Sequence, residues 1–140
     1  MAGRLSITKR FTFEAAHTLK GYPGNCGRLH GHSYKLEVTV EHLGEVTDVS
    51  DALTRHGMLV DFAHLKGVVE QEVINKLDHS NLNESAPIQW VTAEGLIYWI
   101  AEHLRRVVER RWPLLRLSRL RLWETEDSYA EWRRCDCADQ

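Results

Sequence analysis

The chain begins with a segment in which apolar and polar side chains alternate. Through residues 5–15 the apolar positions share one face of an extended chain, and only Lys9 interrupts the order. This period of two predicts a half-buried strand. Residues 18–29 are rich in glycine and predict a loop, after which residues 33–41 alternate again and predict a second strand. The apolar positions are Leu5, Ile7, Phe11, Phe13 and Ala15 in the first strand, and Tyr34, Leu36, Val38 and Val40 in the second.

Two later segments have the spacing of amphipathic helices. Asp61 is placed to cap the first helix and Thr92 the second, and Glu94 lies in the first turn of the second helix, where the helix dipole favours an anion. Pro113 ends the second helix. The apolar stripes are Phe62, Leu65, Val68, Val69, Val73 and Leu77 in the first helix, and Ile97, Ile100, Ala101, Leu104, Val107 and Val108 in the second.

Two more strands are predicted after the helices, at residues 117–124 and 128–134. This order, with short links between neighbouring strands, favours an α+β fold in which a four-stranded antiparallel sheet carries both helices on one face. Residues 1–134 are expected to form one domain and residues 135–140 a disordered tail. Such a sheet has two open edges, and because pairing between copies would cover them, we expect an oligomer.

Composition narrows the class of protein. Of the 140 residues, 43% are hydrophobic and 27% are charged, and the net charge is −2. These values do not fit a general nucleic-acid or membrane binder, so neither partner is expected. No apolar run is long enough for a signal peptide or a spanning helix. The three cysteines make a poor disulfide framework, so reduced thiols and a cytoplasmic location are expected.

Histidines form the most informative pattern in the sequence. His30 and His32 lie two residues apart at the start of the second strand, so their side chains share a face. His17 extends the first strand in phase with its apolar positions. The three imidazoles are therefore expected to meet at one end of the sheet. Three histidines suit a catalytic Zn²⁺ ion with an open fourth position, although satisfied polar or surface histidines would have the same spacing.

A cysteine lies close to the histidine pair in the sequence. Cys26 precedes His30 by four residues, within the glycine-rich loop. A thiol near a bound cation has a lowered pKa and acts as a base or nucleophile. It is equally suited to be a fourth metal ligand, which would close the site. A structural free thiol is the third interpretation, and the sequence alone does not separate the three.

Two further positions carry candidate acid and base groups. Asp78 and His79 follow the first helix, where the carboxylate either tunes a general acid or base or is an ordinary polar residue of a helix end. Glu124 ends the third strand in phase with Leu120 and Leu122, so it faces inward. An inward carboxylate either accepts hydrogen bonds from an amidine-like edge, such as that of a pterin, or pairs with an arginine.

Six blocks of sequence occur in an order that resembles the 6-pyruvoyl-tetrahydropterin synthase family, over roughly residues 5–131. They are FTFEAAHTL, CGRLHGHSY, GMLVDFAHLK, LDHSNLN, VTAEG and WETE. The likeness is greatest to the bacterial 6-carboxy-5,6,7,8-tetrahydropterin synthase branch, which acts in queuosine biosynthesis. The second block, together with the histidine of the first, is the most specific. The family often has proline where Val91 stands and asparagine where Gly95 stands.

The resemblance implies an assembly and a role for each candidate residue. The fold would be the tunnelling fold, in which sheets close into a barrel between subunits, commonly as a homohexamer (a dimer of trimers) with active sites at subunit boundaries. The implied zinc ligands are His17, His30 and His32. The implied catalytic residues are Cys26 as base, Asp78 and His79 of a neighbouring subunit as its relay, and Glu124. The implied pterin contacts are Glu124 as anchor, with Thr92 and Glu94 nearby.

The same resemblance implies a reaction. A zinc-dependent lyase would convert 7,8-dihydroneopterin triphosphate to 6-carboxy-5,6,7,8-tetrahydropterin, with release of acetaldehyde and triphosphate. One alternative is the 6-pyruvoyl reaction on the same substrate, which keeps the whole carbon side chain and uses the same metal, base and ring anchor. A second alternative is a zinc-stabilised interaction domain without catalytic activity.

Overall fold

The computed structural model describes residues 2–136, and its centre is a five-stranded mixed sheet. The strands are β1 (Ser6–His17), β2 (His30–His42), β3 (Ser80–Asn81), β4 (Leu115–Thr125) and β5 (Ser128–Arg133). Their order across the sheet is β3-β1-β2-β4-β5. All neighbours are antiparallel except β3, which runs parallel to β1.

The prediction of a four-stranded, wholly antiparallel sheet was therefore wrong in one strand. β3 has only two residues, too few to show any periodicity in the sequence. Its position is fixed by the turn before it: His79 adopts a left-handed backbone with φ of 57°, and its N–H donates to the carbonyl oxygen of Glu14 at 2.5 Å. A non-glycine residue in that conformation is uncommon and is not foreseen from its sequence.

The two long strands at the centre of the sheet agree with the predicted alternation. Phe11, Phe13 and Ala15 are buried while their neighbours Thr12 and Glu14 are exposed. β1 and β2 pair without a break from Ser6↔Glu41 to His17↔His30. Both strands extend further toward the intervening loop than the apolar alternation indicates, because their last paired positions are histidines rather than apolar residues.

The helices begin at the predicted caps. α1 (Phe62–Val69) is capped by Asp61, whose Oδ1 accepts the N–H of Ala63 at 2.8 Å. The same helical segment continues through one π-helical turn, Glu70–Ile74, into α2 (Asn75–Leu77). After the short α3 (Leu82–Ser85) comes the long α4 (Ala93–Arg111). The Thr92 hydroxyl caps α4 by accepting the N–H of Gly95 at 3.1 Å.

One hydrophobic core joins the helices to one face of the sheet. Its fully buried side chains include Leu36, Leu120, Leu65 and Leu104, which come from both layers. The predicted stripe of the first helix is wrong at its first position, because Phe62 remains 50% exposed. Residue Phe62 directly follows the cap, and the buried side of the helix starts only with the next turn.

Some of the sequence-based predictions fall at or beyond the limits of the structure. No helix within residues 2–136 is long and apolar enough to cross a bilayer. The predicted disordered tail, residues 135–140, lies for the most part outside the described residues. The division into one domain and a tail stays a prediction.

Candidate active site

The strand register brings three histidines together. His17 is the last residue of β1 and pairs directly with His30, the first residue of β2. His32 follows two positions later and points to the same side of the sheet. One ring nitrogen from each imidazole lies within 4.8 Å of the other two. The spacing argument thus predicted the correct cluster, because an unbroken antiparallel pair must place its terminal residues opposite one another.

Hydrogen bonds to backbone carbonyl groups determine which ring nitrogen of His17 and of His30 carries no proton. His17 Nδ1 lies 2.7 Å from the carbonyl oxygen of Val91, and His30 Nδ1 lies 2.7 Å from that of Arg28. A carbonyl oxygen only accepts, so both Nδ1 atoms carry the proton and each neutral ring keeps a lone pair on Nε2. A carbonyl on the far nitrogen of a metal-ligating histidine is the usual way in which proteins orient such a ring.

The two free nitrogens face each other. His17 Nε2 and His30 Nε2 are 3.1 Å apart. Two lone pairs at that distance repel unless a proton or a cation lies between them. Two nitrogens bound to one tetrahedral zinc ion, each about 2.0–2.1 Å from the metal, would be about 3.3 Å apart. The spacing in this structure is close to that value, so the pair fits a shared metal ion.

His32 supplies the third nitrogen. Its Nε2 is buried and has no hydrogen-bond partner among residues 2–136, although it lies 3.1 Å from Oε1 of Glu124. Burial lowers the pKa of His32, Glu124 opposes that shift, and the two neighbouring imidazoles add to it. A lowered pKa favours the neutral imidazole, which is the form that binds metal. The donor set therefore fits Zn²⁺ with three nitrogens and one open position.

Cys26 lies outside this histidine cluster. It is an exposed free thiol in a short turn, Asn25–Gly27, within the loop that joins β1 to β2. The turn is tied down by its backbone, since the carbonyl oxygen of Cys26 accepts the N–H of Leu19 at 3.1 Å. Among the described residues, the group able to hold one ion contains the three histidines without the thiol. This arrangement disfavours a closed four-ligand site.

Asp78 and His79 form a dyad at the β3 edge of the sheet. Oδ1 of Asp78 lies 3.0 Å from Nδ1 of His79 and accepts the backbone N–H of Glu14 at 2.9 Å. The hydrogen bond from Glu14 is the largest cause that lowers the pKa of Asp78, so the carboxylate stays charged beside the imidazole. The side chain of His79 is 79% exposed and points away from the core. The dyad is formed, and it is accessible to a second molecule.

Two glutamates line a cavity beside His32. Glu124 and Glu94 both contribute to a cavity of about 530 Å³ that also contains Ser128 and Tyr129. The ionic contact of Glu124 within the described residues is His32, rather than the arginine considered from the sequence. Thr92 does not line this cavity; its hydroxyl caps α4, and the residue lines a neighbouring cavity that also includes Glu94. The structure thus places two of the three expected pterin contacts around one space.

Several groups in the site have no signal in the sequence. The carbonyl groups of Val91 and Arg28 are backbone atoms, and any residue type offers them. Tyr34 is predicted only as a core residue, yet its hydroxyl is buried without a hydrogen-bond partner among the described residues, and its ring lies 5.6 Å from that of His32. Burial and the charge of Glu124 raise the pKa of Tyr34, so the phenol stays protonated and can donate. Such a donor beside the histidine cluster is found only from the three-dimensional arrangement.

Gly95 permits the close backbone approach in the segment that orients His17, because a Cβ atom at this position would lie 1.9 Å from the carbonyl oxygen of Trp90. Gly95→Ala is therefore expected to push away the segment whose next carbonyl, that of Val91, holds His17. We expect a loss of about 1–3 kcal/mol in unfolding free energy and about 10–100-fold weaker zinc binding. Calorimetry and chelator competition measure the two effects.

Gly67 provides the matched control for Gly95. It lies in α1, and a Cβ atom there meets nothing within 4 Å. Gly67→Ala should leave zinc affinity unchanged and stabilise the helix by up to about 1 kcal/mol. Equal zinc affinity in the Gly95 and Gly67 variants would show that the Val91 carbonyl does not position the metal ligand.

Comparison with known proteins agrees with this arrangement. The 6-pyruvoyl tetrahydropterin synthase family profile matches residues 6–135. A 6-carboxy-5,6,7,8-tetrahydropterin synthase of Haemophilus influenzae is 30% identical over 148 aligned residues, which cover 91% of this chain and 97% of that protein. A protein of the same name from Synechocystis is 41% identical over 98 residues, 67% of this chain and 70% of that protein.

A solved structure shows the same fold. The Caenorhabditis elegans 6-pyruvoyl tetrahydropterin synthase superposes with a TM-score of 0.73 at 23% identity, and the match covers 95% of this chain and 97% of that one. The tunnelling fold expected from the sequence is consistent with this match, with the added parallel strand as the difference. The extent of the sequence matches shows that the chain is an enzyme that belongs to the 6-pyruvoyl tetrahydropterin synthase family.

Proposed function

We propose that this protein is a zinc-dependent lyase of queuosine biosynthesis that converts 7,8-dihydroneopterin triphosphate to 6-carboxy-5,6,7,8-tetrahydropterin, with release of acetaldehyde and triphosphate. The observation that carries the proposal is the pair of facing Nε2 atoms, His17 and His30, 3.1 Å apart with their other nitrogens on carbonyl groups. The names of the bacterial relatives favour the 6-carboxy product.

Each residue of the site has a distinct task in this proposal. Bound zinc would act as a Lewis acid on the side-chain hydroxyls of the substrate and make the neighbouring carbon-bound protons more acidic. The Cys26 thiolate would remove such a proton. His79, held by Asp78, would accept and return protons through its exposed ring. Glu124 would accept hydrogen bonds from the N–H and amino group of the pterin, with Glu94 in the same cavity.

The exposure of two catalytic candidates supports an assembly in which subunits complete one another's sites. Cys26 is exposed, and the His79 side chain is 79% exposed at the edge strand β3. A proton relay works best when it is shielded from bulk water. We propose that a neighbouring subunit covers the dyad, in a homohexamer built as a dimer of trimers. A thiol that must remain reduced is suited to the cytoplasm, which we propose as the location.

Product analysis tests the proposed reaction directly. Zinc-loaded protein is incubated with 7,8-dihydroneopterin triphosphate, and the products are separated and their masses are determined by mass spectrometry. The 6-carboxy product and trapped acetaldehyde are expected in equal amounts. A 6-pyruvoyl product without acetaldehyde would assign the sister reaction instead.

The non-catalytic alternative makes a different prediction about the metal. A zinc-stabilised interaction domain should lose its fold when a chelator removes the ion, because a structural site couples metal binding to folding. The hydrophobic core consists of apolar side chains and contains none of the three histidines. Removal of the metal by a chelator should therefore abolish turnover and lower the melting temperature only slightly. A collapse of the melting transition, with no turnover in the loaded protein, would favour the interaction domain.

Glu124→Gln tests the ring anchor. An amide accepts fewer hydrogen bonds than a carboxylate and has no charge, so we expect kcat/KM to fall about 10–100-fold, mainly through KM, at unchanged zinc content. Glu126→Gln is the matched control, since Glu126 is exposed in the turn that follows β4. Loss of zinc in the Glu124 variant, or an unchanged KM, would contradict the role of ring anchor.

A further inference from the structure

The face of the sheet opposite the hydrophobic core carries a second, separate group of buried polar residues. Four polar side chains are buried there, although the core lies on the other side of the sheet: Arg116, Glu41, Glu37 and Thr39, with exposed fractions of 4–8%. Glu41 pairs across the strands with Arg116, whose Nε donates to Oε2 of Glu41 at 2.9 Å. Glu41 is nine residues from His32 in β2, about 30 Å along the strand, so this group is remote from the histidine cluster.

A β-bulge gathers arginines on this face. The pairing of β2 with β4 shifts between Thr39 and Val40, which leaves Ser118 as an extra residue. Arg116 and Arg119 are three positions apart and would alternate in a regular strand, but the bulge turns both of them away from the core. Leu117 and Leu120 face the core at 0% exposure. Bulges are a common means of re-aiming a side chain.

The bulge also creates a close pair of like charges. Arg119 is the direct cross-strand partner of Arg133 in β5, and like charges placed opposite one another destabilise a sheet. Glu131 compensates only in part, because its Oε1 accepts a hydrogen bond from Arg121 Nε at 2.7 Å and lies 4.0 Å from Arg119 Nε, while its Oε2 lies 3.4 Å from Arg133 Nη2. Arg119 Nε is buried and has no hydrogen-bond partner among residues 2–136. The same holds for Arg134 Nε, although the two Nη atoms of Arg134 donate to Glu109 at 2.7 and 3.3 Å.

These arginines border a cavity of about 280 Å³. Its lining carries five guanidinium groups and two carboxylates, an excess of three positive charges. Two carboxylates outside the lining offset part of this excess, because Glu109 pairs with Arg134 and Glu131 lies near Arg119 and Arg133. Three hydroxyl side chains add neutral donors. The lining residues with charge are Arg4, Arg116, Arg119, Arg133 and Arg134, with Glu41 and Asp136, and those with hydroxyls are Ser6, Thr39 and Ser118.

We propose that this arginine cavity is a binding site for a phosphate-type oxyanion, either inorganic phosphate or a polyphosphate chain. An anion there would accept hydrogen bonds from the Nε atoms of Arg119 and Arg134, which otherwise have no partner among residues 2–136. Its negative charge would also reduce the repulsion between Arg119 and Arg133. Guanidinium groups recognise phosphate oxygens through paired, charge-assisted hydrogen bonds. The site is on the opposite face of the sheet from the histidine cluster and is independent of the proposed reaction.

Titration calorimetry of the zinc-loaded protein with orthophosphate, and separately with inorganic triphosphate, tests the site. Saturable binding is expected for at least one of them, and tighter binding of triphosphate would indicate a polyphosphate site. Arg133→Gln should weaken binding about tenfold and leave lyase turnover unchanged. Its side chain is 68% exposed, so the fold should tolerate the change. Arg106→Gln, on the outer surface of α4, is the control that alters net charge equally.

Glu131→Gln separates the proposal from a simple loss of structure. It removes the carboxylate that pairs with Arg121 and competes for Arg119 and Arg133, so phosphate should bind several-fold more tightly than to the unchanged protein. A damaged fold would not produce a gain. Absence of saturable binding would overturn the proposal. Binding that is unaffected by both the Arg133 and the Glu131 variants would also overturn it, because the anion would then lie elsewhere, for example on the open zinc position.

Discussion

Replacement of Cys26 by alanine is expected to reduce turnover about 100- to 10,000-fold, the usual effect of removing a general base, while the protein keeps its zinc. The thiol is exposed and lies outside the group of three histidines that can share one ion. A zinc ion held by the three histidines would therefore have its full set of protein ligands without the thiol. Steady-state kinetics on 7,8-dihydroneopterin triphosphate and zinc determination on the same preparation give the two values.

Cys135→Ala is the control for this variant. Cys135 is the other exposed free cysteine within residues 2–136, and it follows β5 rather than belonging to the site. Its replacement should affect neither value. Loss of zinc in Cys26→Ala would mean that the thiolate is a ligand and that the site is closed. Retained turnover in Cys26→Ala would show that another group is the base.

His30→Ala is expected to have the second large effect, on the metal itself. Removal of one of the three proposed ligands leaves only two protein nitrogens, so zinc affinity should fall by more than the roughly 10–100-fold that is typical for loss of a supporting hydrogen bond. Turnover should fall with zinc occupancy. The fold should persist, since His30 is at the end of the sheet and the core residues of β2 begin at Tyr34. Chelator competition, circular dichroism and kinetics measure these three effects.

His64→Ala provides the comparison for the His30 variant. His64 is exposed on α1, away from the cluster, so its loss should change none of the three measurements. Full zinc occupancy in His30→Ala would contradict the three-nitrogen site. Unfolding of His30→Ala that zinc cannot reverse would show that the histidine is needed for folding rather than for the metal.

The strands and helices were predictable where one physical rule dominated. The alternation of Phe11, Phe13 and Ala15 determined the buried face of β1, and the caps Asp61 and Thr92 marked the starts of the helices. β3 was missed because two residues have no period, and it depends on the left-handed backbone of His79. The shift of pairing at Thr39 was missed because it depends on how β4 fits against β2, which neither segment shows alone.

The candidate site likewise contains features that the sequence predicts and features that depend on the whole fold. Phase within two strands was enough to bring His17, His30 and His32 to one place. The groups that orient these histidines could not be predicted from the sequence, because the carbonyls of Val91 and Arg28 belong to loops whose positions depend on the whole fold. The arginine cavity was equally hidden, since it is created by a bulge and by pairing between β4 and β5.

X-ray absorption at the zinc edge of the loaded protein tests the metal centre most directly. Three imidazole nitrogens at about 2.0–2.1 Å, one further light atom from water and no sulfur are expected. The spectrum should be the same in Cys26→Ala. A zinc–sulfur distance of about 2.3 Å that disappears in Cys26→Ala would contradict an open, three-histidine metal site.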